Sequence, residues 1–293
     1  MATGMVLLIG GQPAPNVIPA MYSRPSRLLL LHSNETAEIA RKVAQFLAPA
    51  DGGEHIRVDP FELLQIQRAL DDAIAKQPNY EWTFNITGGT KQMAIAASLV
   101  AQHRGGQLIY LQSDQNQSRL LVYDTKGGQL RLARDEQLPP LLTLQKYLEL
   151  HIGNYIERTP PQQNEFERAV LTALRSSTEL DEVVCNIVPQ GISGNIEIDF
   201  AVRIGTQFGV GEIKKKASKS QGIDQLKMLS GLLGTYTHSF LVTSQALHSN
   251  DAMLAERSRI NVVVLPCDET ASLAEERTKQ LIDAIRRQLS RSP

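Results

Sequence analysis

Two short charged segments in the second half of the chain have the residue types of a hydrolytic site. Residues 197–199 read Glu-Ile-Asp, residues 212–214 read Glu-Ile-Lys, and Gly205-Thr206 lies between them. A Gly-X dipeptide between two apolar alternating runs predicts a two-residue hairpin turn. The hairpin would carry three carboxylates and one ammonium on neighbouring strands.

The register of this hairpin follows from counting outward from its turn. If the residues that flank the turn pair with each other, Asp199 lies opposite Glu212 and Glu197 lies opposite Lys214. Strand side chains alternate between the two faces of a sheet. All four charged side chains are therefore expected on one face.

This arrangement of carboxylates predicts a particular chemistry. Opposed carboxylates repel when both are ionised, and a bound divalent cation is the usual relief. An all-oxygen site suits Mg²⁺ or Mn²⁺, which keeps several waters, bridges to phosphate and activates the water that attacks phosphorus. Lys214 could orient that water or stabilise charge on the phosphate. The residues alone leave an alternative open: a solvated sheet face with a Glu197–Lys214 cross-strand pair and no chemistry.

The surrounding sequence predicts the elements that would hold this hairpin. Residues 164–174 have the periodicity of an amphipathic helix, and residues 219–234 predict another. Gly209 and Gly211 interrupt the second strand of the hairpin, which predicts a bulge or the close approach of another backbone. The order is helix, three strands, helix, strand, with the strands at 183–188, 195–202, 208–214 and 239–243.

A glycine-rich turn in the first half predicts a phosphate-binding site. Residues 81–86 read as a buried strand, and Thr87-Gly88-Gly89-Thr90-Lys91 leads into an alanine-rich helix at 92–103. Free N–H groups at a helix start hold phosphate. The turn matches neither the Walker nor the dinucleotide pattern. A Gly-Gly turn capped by Thr90, with no ligand, is the alternative.

Two further polar segments follow apolar strands in this half. Residues 10–16, Gly-Gly-Gln-Pro-Ala-Pro-Asn, follow a strand at 5–10 and are expected to form a rigid loop. The strand at 28–33 runs into a helix at 34–47, with Ser33 or Asn34 as its N-cap. Ligands of open α/β sheets bind at the carboxyl ends of strands. The three segments are therefore expected to converge on one rim.

These motifs resemble known families. Residues 10–16, 28–33 and especially 85–94 resemble the CARF domain, the Rossmann-like sensor of cyclic oligoadenylate in type III CRISPR systems. The D…ExK spacing resembles the PD-(D/E)xK nuclease superfamily, although the usual proline before the aspartate is absent. The two together resemble CRISPR ancillary nucleases that join one CARF and one PD-(D/E)xK domain.

The resemblance implies an α/β fold in two parts. A Rossmann-like CARF domain would occupy residues 1–145, and a restriction-endonuclease-like PD-(D/E)xK α/β domain would occupy 146–293. The boundary region at 139–161 is flanked by Pro139-Pro140 and Pro160-Pro161, with a connecting helix at 141–157. A hairpin at 118–133, turning at 126–128, would extend the first sheet or reach the second domain.

The resemblance also assigns roles in the nuclease half. Asp199 and Glu212 would bind the metal with the backbone carbonyl of Ile213, and Lys214 would assist. A helix glutamate, Glu167 or its rival Glu165, would complete the site, and a supporting glutamine would stand at Gln225. The implied catalytic set is Glu167, Glu197, Asp199, Glu212, Lys214 and Gln225.

In the sensor half the resemblance implies a homodimer that binds one cyclic oligoadenylate, with cyclic tetra-adenylate favoured, across its two-fold axis. Binding would shift the dimer towards an arrangement in which the nuclease sites face DNA, RNA or both. The implied ligand-binding residues are Gly11, Gln12, Pro13, Asn16, Ser33, Thr36, Asn85, Thr87, Gly88, Gly89, Thr90 and Lys91.

Composition restricts the possible partners. The 293 residues carry a net charge of −1, so nucleic acid would need a local patch, for which Lys214, Lys215, Lys216 and Lys219 form the dense basic run. No segment has the length and apolarity of a membrane span, and no signal-peptide pattern begins the chain. Cys185 and Cys267 are expected to be buried thiols, which favours the cytoplasm.

Two other functions are compatible with parts of the sequence. The chain could be a ligand-responsive regulator whose second domain binds DNA or protein without catalysis. It could also act on a free nucleotide or sugar phosphate at the first rim, where no acid–base pair is evident. The C-terminal segment 270–289 predicts a charged amphipathic helix that covers the second sheet.

Overall fold

Two β-sheets, each covered by helices, make up the computed structural model of the chain. The structure describes residues 2–114, 117–158, 164–190, 196–215, 219–234, 237–266 and 273–290. It divides into one unit of Met1–Ser113 with Ser118–Leu141 and another of Leu142–Pro293 with Asp114–Gln117.

The first unit contains a seven-stranded sheet of order β3-β2-β1-β4-β5-β6-β7. Strands β1 to β5 pair in parallel, and β6 and β7 form an antiparallel hairpin that extends the sheet. The order reverses between β1 and β4, where open α/β sheets bind ligands. The strands are β1 (Ala2–Leu8), β2 (Arg27–His32), β3 (Gly53–Arg57), β4 (Tyr80–Asn85), β5 (Gln107–Asp114), β6 (Gln117–Asp124) and β7 (Arg131–Leu138).

Four helices cover this sheet: α1 (Ala14–Ser23), α2 (Ala37–Leu47), α3 (Leu63–Ala75) and α4 (Lys91–Arg104). Apolar residues of β1, β2 and β4 pack with α3 and α4 in one buried cluster. The hairpin between β6 and β7 turns at Lys126–Gly128, as predicted.

Two details of the first unit differ from prediction. Residues 14–16 were expected in a loop but form the first turn of α1, because Pro15 lies in the opening turn of a helix, where proline is tolerated. Helix α2 begins at Ala37 with Thr36 as N-cap, and neither Ser33 nor Asn34 caps it. Ser33 instead forms a local turn in which its N–H donates to Thr36 Oγ1 at 3.0 Å.

The second unit contains a six-stranded mixed sheet of order β13-β12-β11-β10-β9-β8. The predicted succession of helix, three strands, helix and strand is confirmed by α6, β9, β10, β11, α7 and β12. The strands are β8 (Tyr155–Glu157), β9 (Glu182–Pro189), β10 (Ile198–Ile204), β11 (Gln207–Lys214), β12 (His238–Thr243) and β13 (Ile260–Val264). The helices are α5 (Leu144–Ile152), α6 (Glu165–Ser176), α7 (Lys219–Leu233), α8 (Ser249–Arg257) and α9 (Glu275–Leu289).

The predicted connecting helix is shorter than expected. It ends at Ile152, because Gly153 leaves the helix at φ 74°, and Tyr155–Glu157 pairs with β9 as an edge strand. Helix α5 packs on the second unit: the Tyr147 ring stacks on Phe208 at 3.8 Å, and its hydroxyl donates to Leu233 O. Residues 142–157 are therefore part of the second unit's fold rather than a free connector, and Leu141 belongs to the first unit.

One face of the second sheet is covered by α6 and α9. The predicted stripe of α6 packs against α9 and the sheet in a buried cluster, so α9 covers the sheet as expected. Cys185 is buried and free in this cluster, whereas Cys267 and Pro160-Pro161 lie outside the described residues. The opposite sheet face carries the charged residues considered next.

Candidate functional site

The charged hairpin has the predicted register. Strands β10 and β11 pair antiparallel from Ile204–Gln207 at the turn to Phe200–Gly211. Gly205 adopts φ 57°, which suits the first position of a Gly-X turn. Asp199 and Glu212 follow immediately after the last of these pairs, on the sheet face opposite the Phe200 side chain.

Asp199, Glu212 and Lys214 meet at the end of this hairpin. Lys214 Nζ lies 2.8 Å from Glu212 Oε2 and 3.9 Å from Asp199 Oδ2. The Ile213 N–H donates to Asp199 Oδ2 at 2.6 Å. Glu212 is 1% exposed and Asp199 is 8% exposed. The structure thus joins two buried carboxylates to one partly exposed ammonium.

The structure gives a different reason for the two glycines of β11 from the one predicted. The ladder is regular at Gly209 and Gly211, so the bulge is absent from this pairing. A Cβ at Gly211 would lie 2.1 Å from Cζ of the Phe200 ring, and a Cβ at Gly209 would lie 2.7 Å from the Phe240 ring. Aromatic side chains, not another backbone, exclude a side chain at both positions.

Burial makes both carboxyl groups hard to ionise. It raises the pKa of Asp199 to about 6, against the opposing effects of Lys214 and the Ile213 N–H. Burial and the Asp199 charge raise the pKa of Glu212 to about 8. Burial lowers the pKa of Lys214, but Glu212 and Asp199 outweigh this and raise it overall. Another cation beside the pair would favour its ionised form.

One oxygen of the pair lacks a partner. Within the described part of the chain, Glu212 Oε1 is buried without a hydrogen bond. A buried unpaired acceptor is destabilising, and hard cations such as Mg²⁺ bind carboxylate oxygens. No group of three or more His, Cys, Asp and Glu side chains among the described residues is arranged to hold a metal. Asp199 and Glu212 fit a divalent cation whose other ligands are backbone oxygen and water.

The structure distinguishes the two helix glutamates. Asn164 caps α6 by accepting the Glu167 N–H at 2.9 Å, and its amide donates to Glu167 Oε2 at 3.3 Å. The half-buried Glu167 carboxylate raises the pKa of Asp199, as does Glu197. Glu165 is exposed on the first turn of α6. Glu167 is therefore the helix carboxylate that faces the pair.

The structure describes Gln225 and only part of the basic run. Gln225 lies on α7, and its Oε1 is buried without a hydrogen bond in the part of the chain that the structure describes. Of the basic run, Lys214 contacts Glu212, Lys215 is partly buried, and Lys216 and the Lys219 side chain lie outside the description.

The glycine-rich turn of the first unit packs tightly against β1. A Cβ at Gly88 would collide with Leu8 O and lie 2.8 Å from Asn16 Nδ2, and Gly89 adopts φ 73°. Thr90 caps α4 by accepting the Met93 N–H at 3.2 Å, and its hydroxyl donates to Pro60 O at 2.6 Å. The turn is both a capped helix start and a close backbone approach.

Two of the predicted ligand residues are interior supports of this turn. Asn85 Oδ1 accepts from the Thr87 N–H at 3.1 Å and from its hydroxyl at 2.6 Å, and Asn85 Nδ2 donates to Pro15 O. Asn16 Nδ2 donates to Leu8 O at 2.9 Å. Both asparagines are fully buried. Their hydrogen bonds to the backbone and to Thr87 stabilise the loops that form the rim.

The rim encloses a cavity of about 530 Å³. It brings together the predicted residues Gly11, Ser33, Thr36, Gly89 and Thr90 with the unpredicted residues Ile9, Gly10, Glu35, Asp59, Pro60, Phe61 and Met93. The loop after β3 supplies residues 59–61. Their position after a parallel strand could have indicated them, but they carry no ligand motif. Gln12, Pro13, Thr87, Gly88 and Lys91 do not line this cavity.

Comparison with known proteins covers both units. Residues 5–147 match the family model of the Card1 CARF domain. No curated protein matches the sequence. Among the described residues, no helix has the length and apolar character needed to cross a bilayer.

Several solved structures share the fold. Can2 from Sulfobacillus thermosulfidooxidans, solved with cyclic tetra-adenylate, is 20% identical, with a TM-score of 0.75 over 97% of this chain and 99% of that one. Protein VC1899 from Vibrio cholerae is 13% identical, with a TM-score of 0.73 and 99% of each chain covered. A type III CRISPR defence DNA nuclease activated by cyclic oligoadenylate is 15% identical, with a TM-score of 0.60 over 96% of this chain and 52% of that one.

These likenesses extend over almost the whole chain and confirm the two-part α/β fold. The family match lies on the seven-stranded sheet, its four helices and the rim with the Thr87–Lys91 turn. The first unit is therefore similar to a CARF domain of the Card1 type.

Proposed function

We propose that this protein is a divalent-metal-dependent nuclease of type III CRISPR defence, activated by a cyclic oligoadenylate. The observation that carries the proposal is the buried Asp199–Glu212 pair, which Lys214 contacts from one side and whose Glu212 Oε1 lacks a hydrogen bond within the described residues. Most buried polar atoms of folded proteins are hydrogen-bonded, so an unpaired carboxylate oxygen beside a second buried carboxylate suits a site that holds a cation. The attached CARF domain supports control by a nucleotide ligand.

The chain's own groups suggest how phosphodiester hydrolysis would proceed. Asp199, Glu212 and the Ile213 carbonyl would hold Mg²⁺ or Mn²⁺, which when bound supplies an activated water and neutralises phosphate charge. The ammonium group of Lys214 would stabilise the negative charge that develops on the phosphate. Glu167 and Glu197 add negative charge beside Asp199, which strengthens cation binding. Gln225 offers a buried acceptor on α7.

The CARF cavity is the proposed binding site for the activator. Gly89 and Thr90 line it at the start of α4, where backbone N–H groups favour phosphate. Gly11, Ser33 and Thr36 line it from the ends of β1 and β2. Lys91, exposed on the first turn of α4, would add a positive charge. Cyclic tetra-adenylate, the ligand in the Can2 complex, is the proposed activator.

Activation would act through a homodimer. A cyclic oligoadenylate with two-fold symmetry suits a site made from two copies of the rim. It can shift the dimer towards a cleaving arrangement to the extent that it binds that arrangement more tightly. The nuclease sites would then act on DNA, RNA or both.

The test is cleavage of supercoiled plasmid and of single-stranded RNA with Mn²⁺, with and without cyclic tetra-adenylate. We expect cleavage that requires both the ligand and the metal and is lost in Asp199→Asn. Glu167→Gln and Glu165→Gln form a matched pair on one helix turn. The first should slow cleavage at least tenfold, and the second, at an exposed position, should leave it within about twofold.

A non-catalytic regulator is the competing function. Glu212→Gln separates the two, because the proposed nuclease should lose cleavage while ligand binding is retained. Absence of cleavage in the wild type, together with tight binding of cyclic tetra-adenylate, would contradict the nuclease and support the regulator.

A further inference from the structure

The aliphatic stem of Lys214 runs against a glycine of helix α7. A Cβ built on Gly222 would lie 3.3 Å from Lys214 Cγ and 3.5 Å from Lys214 Cε. It would also lie 3.0 Å from Leu241 Cδ1 on β12. Gly222 is buried and lies within the first turns of α7. An added Cβ at position 222 would therefore fit only if the lysine stem or Leu241 moved by a few tenths of an ångström.

Lys214 has little freedom to yield at this contact. Its ammonium is held 2.8 Å from Glu212 Oε2, and its backbone belongs to β11, paired with Thr243 of β12. Leu241, the other neighbour of Gly222, is fully buried and pairs with Glu212. Any group added at position 222 must displace either the Lys214 stem or Leu241.

We propose that Gly222 is a positioning residue for Lys214. By carrying no side chain, it lets α7 press on the lysine stem and hold the ammonium beside Glu212 and Asp199. A long lysine side chain otherwise samples many rotamers, and a displacement of about 1 Å in a catalytic group can reduce the rate about 100-fold. The effect on cleavage rests on the proposed nuclease function, but the contact itself can be tested without cleavage.

The same helix offers a matched control. Gly231 lies about two and a half turns further along α7, is exposed, and a Cβ there meets no atom within 4 Å. Alanine should stabilise a helix equally at both positions, because it removes the entropy cost of glycine. A difference between the two sites therefore reports the contacts at position 222.

The first test measures melting temperature in metal-free protein. Gly231→Ala should raise it by about 2 °C, in either the wild-type or the Lys214→Ala background. Gly222→Ala should give no gain in the wild type but the full gain in Lys214→Ala, where the stem is gone. Two results would overturn the proposal. In the wild type, Gly222→Ala could raise the melting temperature as much as Gly231→Ala does. In the Lys214→Ala background, Gly222→Ala could still give no rise in melting temperature, which would assign the contact to Leu241.

The second test measures activated cleavage. Gly222→Ala should lower kcat about threefold and Gly222→Val at least tenfold, with KM within about twofold, while Gly231→Ala and Gly231→Val leave both near the wild-type values. A rise in KM alone, or equal losses at the two positions, would contradict positioning of Lys214. If the wild type does not cleave, the proposed function fails. The melting experiment still tests whether Gly222 packs against the Lys214 stem.

Discussion

At the scale of single residues, the second unit concentrates charge where water is scarce. Asp199 and Glu212 are buried together, and Lys214 is the cation that contacts both. Two carboxylates without a counter-charge are expensive to bury, so their partner is needed for stability as well as for chemistry. This dual dependence can be measured in the absence of substrate.

Replacing Lys214 by Met keeps most of the stem and removes the charge. We expect the metal-free protein to lose about 2–3 kcal/mol of unfolding free energy, because the carboxyl pair loses its cation. Saturating Mn²⁺ should recover more stability in Lys214→Met than in the wild type. Chemical denaturation with and without a chelator measures both effects, with Lys215→Met as the control. An unchanged denaturation midpoint would show that Lys214 does not balance the pair.

Of the two glycines of β11, Gly211 leaves the less room for an added side chain. Alanine there would place its Cβ 2.1 Å from Cζ of the Phe200 ring and should destabilise the fold by about 3 kcal/mol, since overpacking a buried contact forces neighbours apart. Adding Phe200→Leu should restore part of the loss. Urea denaturation of the two single variants and the double variant tests this coupling. Strictly additive losses would contradict a direct Gly211–Phe200 clash.

At the scale of elements, helix starts serve different purposes in the two units. Thr90 caps α4 beside the CARF cavity, and Thr143 caps α5 by accepting the Lys146 N–H at 3.2 Å. The two caps share their chemistry and differ in location. Their comparison separates helix stability from ligand binding.

Thr90→Val and Thr143→Val should each cost about 1 kcal/mol of stability, because each removes a side-chain cap. Thr90→Val should also weaken binding of cyclic tetra-adenylate at least tenfold, because Thr90 lines the cavity and bonds Pro60 O. Isothermal titration calorimetry distinguishes the variants. Equal affinity in both would place the ligand away from the start of α4.

Helix α5 is anchored by a buried phenol. Burial raises the pKa of Tyr147 to about 12, so the folded state keeps this proton at a pH where the unfolded chain loses it. The stability that the phenol contributes is complete below pH 10 and is lost as pH rises towards 12. Tyr147→Phe removes this titration together with the bond to Leu233 O.

We therefore expect Tyr147→Phe to be about 1 kcal/mol less stable than the wild type at pH 7. The difference should shrink and then reverse between pH 10 and pH 12, because the wild type loses stability there and the variant does not. Denaturant titrations of both proteins across this range provide the measurement. A constant difference would mean that Tyr147 ionises at its ordinary pKa.

At the scale of the whole molecule, the proposed homodimer makes a stoichiometric prediction. One cyclic tetra-adenylate per two chains should bind, since each rim would contact half of a two-fold ligand. Light scattering gives the mass of the particle, and calorimetry gives the ratio of ligand to chain. A ratio of one ligand per chain would contradict a shared site. Thr143→Val, which leaves the rim intact, should keep the ratio of the wild type.

Local sequence was sufficient for three elements: the charged hairpin, the helix before it and the glycine-rich turn of the first unit. The hairpin around Gly205, the helix at 164–174 and the Thr87–Lys91 turn all follow from short-range rules of alternation, periodicity and glycine conformation. Asp199, Glu212 and Lys214 come together because they lie on two strands joined by one tight turn. Such contacts depend on residues close in the chain, which is why they could be predicted.

Long-range packing settled what those rules left open. Glu167 rather than Glu165 faces Asp199 because the buried stripe of α6 fixes how that helix is rotated. Residues 59–61 line the CARF cavity because β3 is placed beside β2 in the sheet. Gly211 packs against a phenylalanine on the facing strand, and Gly222 packs against the stem of a lysine on another element. Each of these depends on where distant segments meet in space, and a pattern read along one stretch of chain carries no information about that.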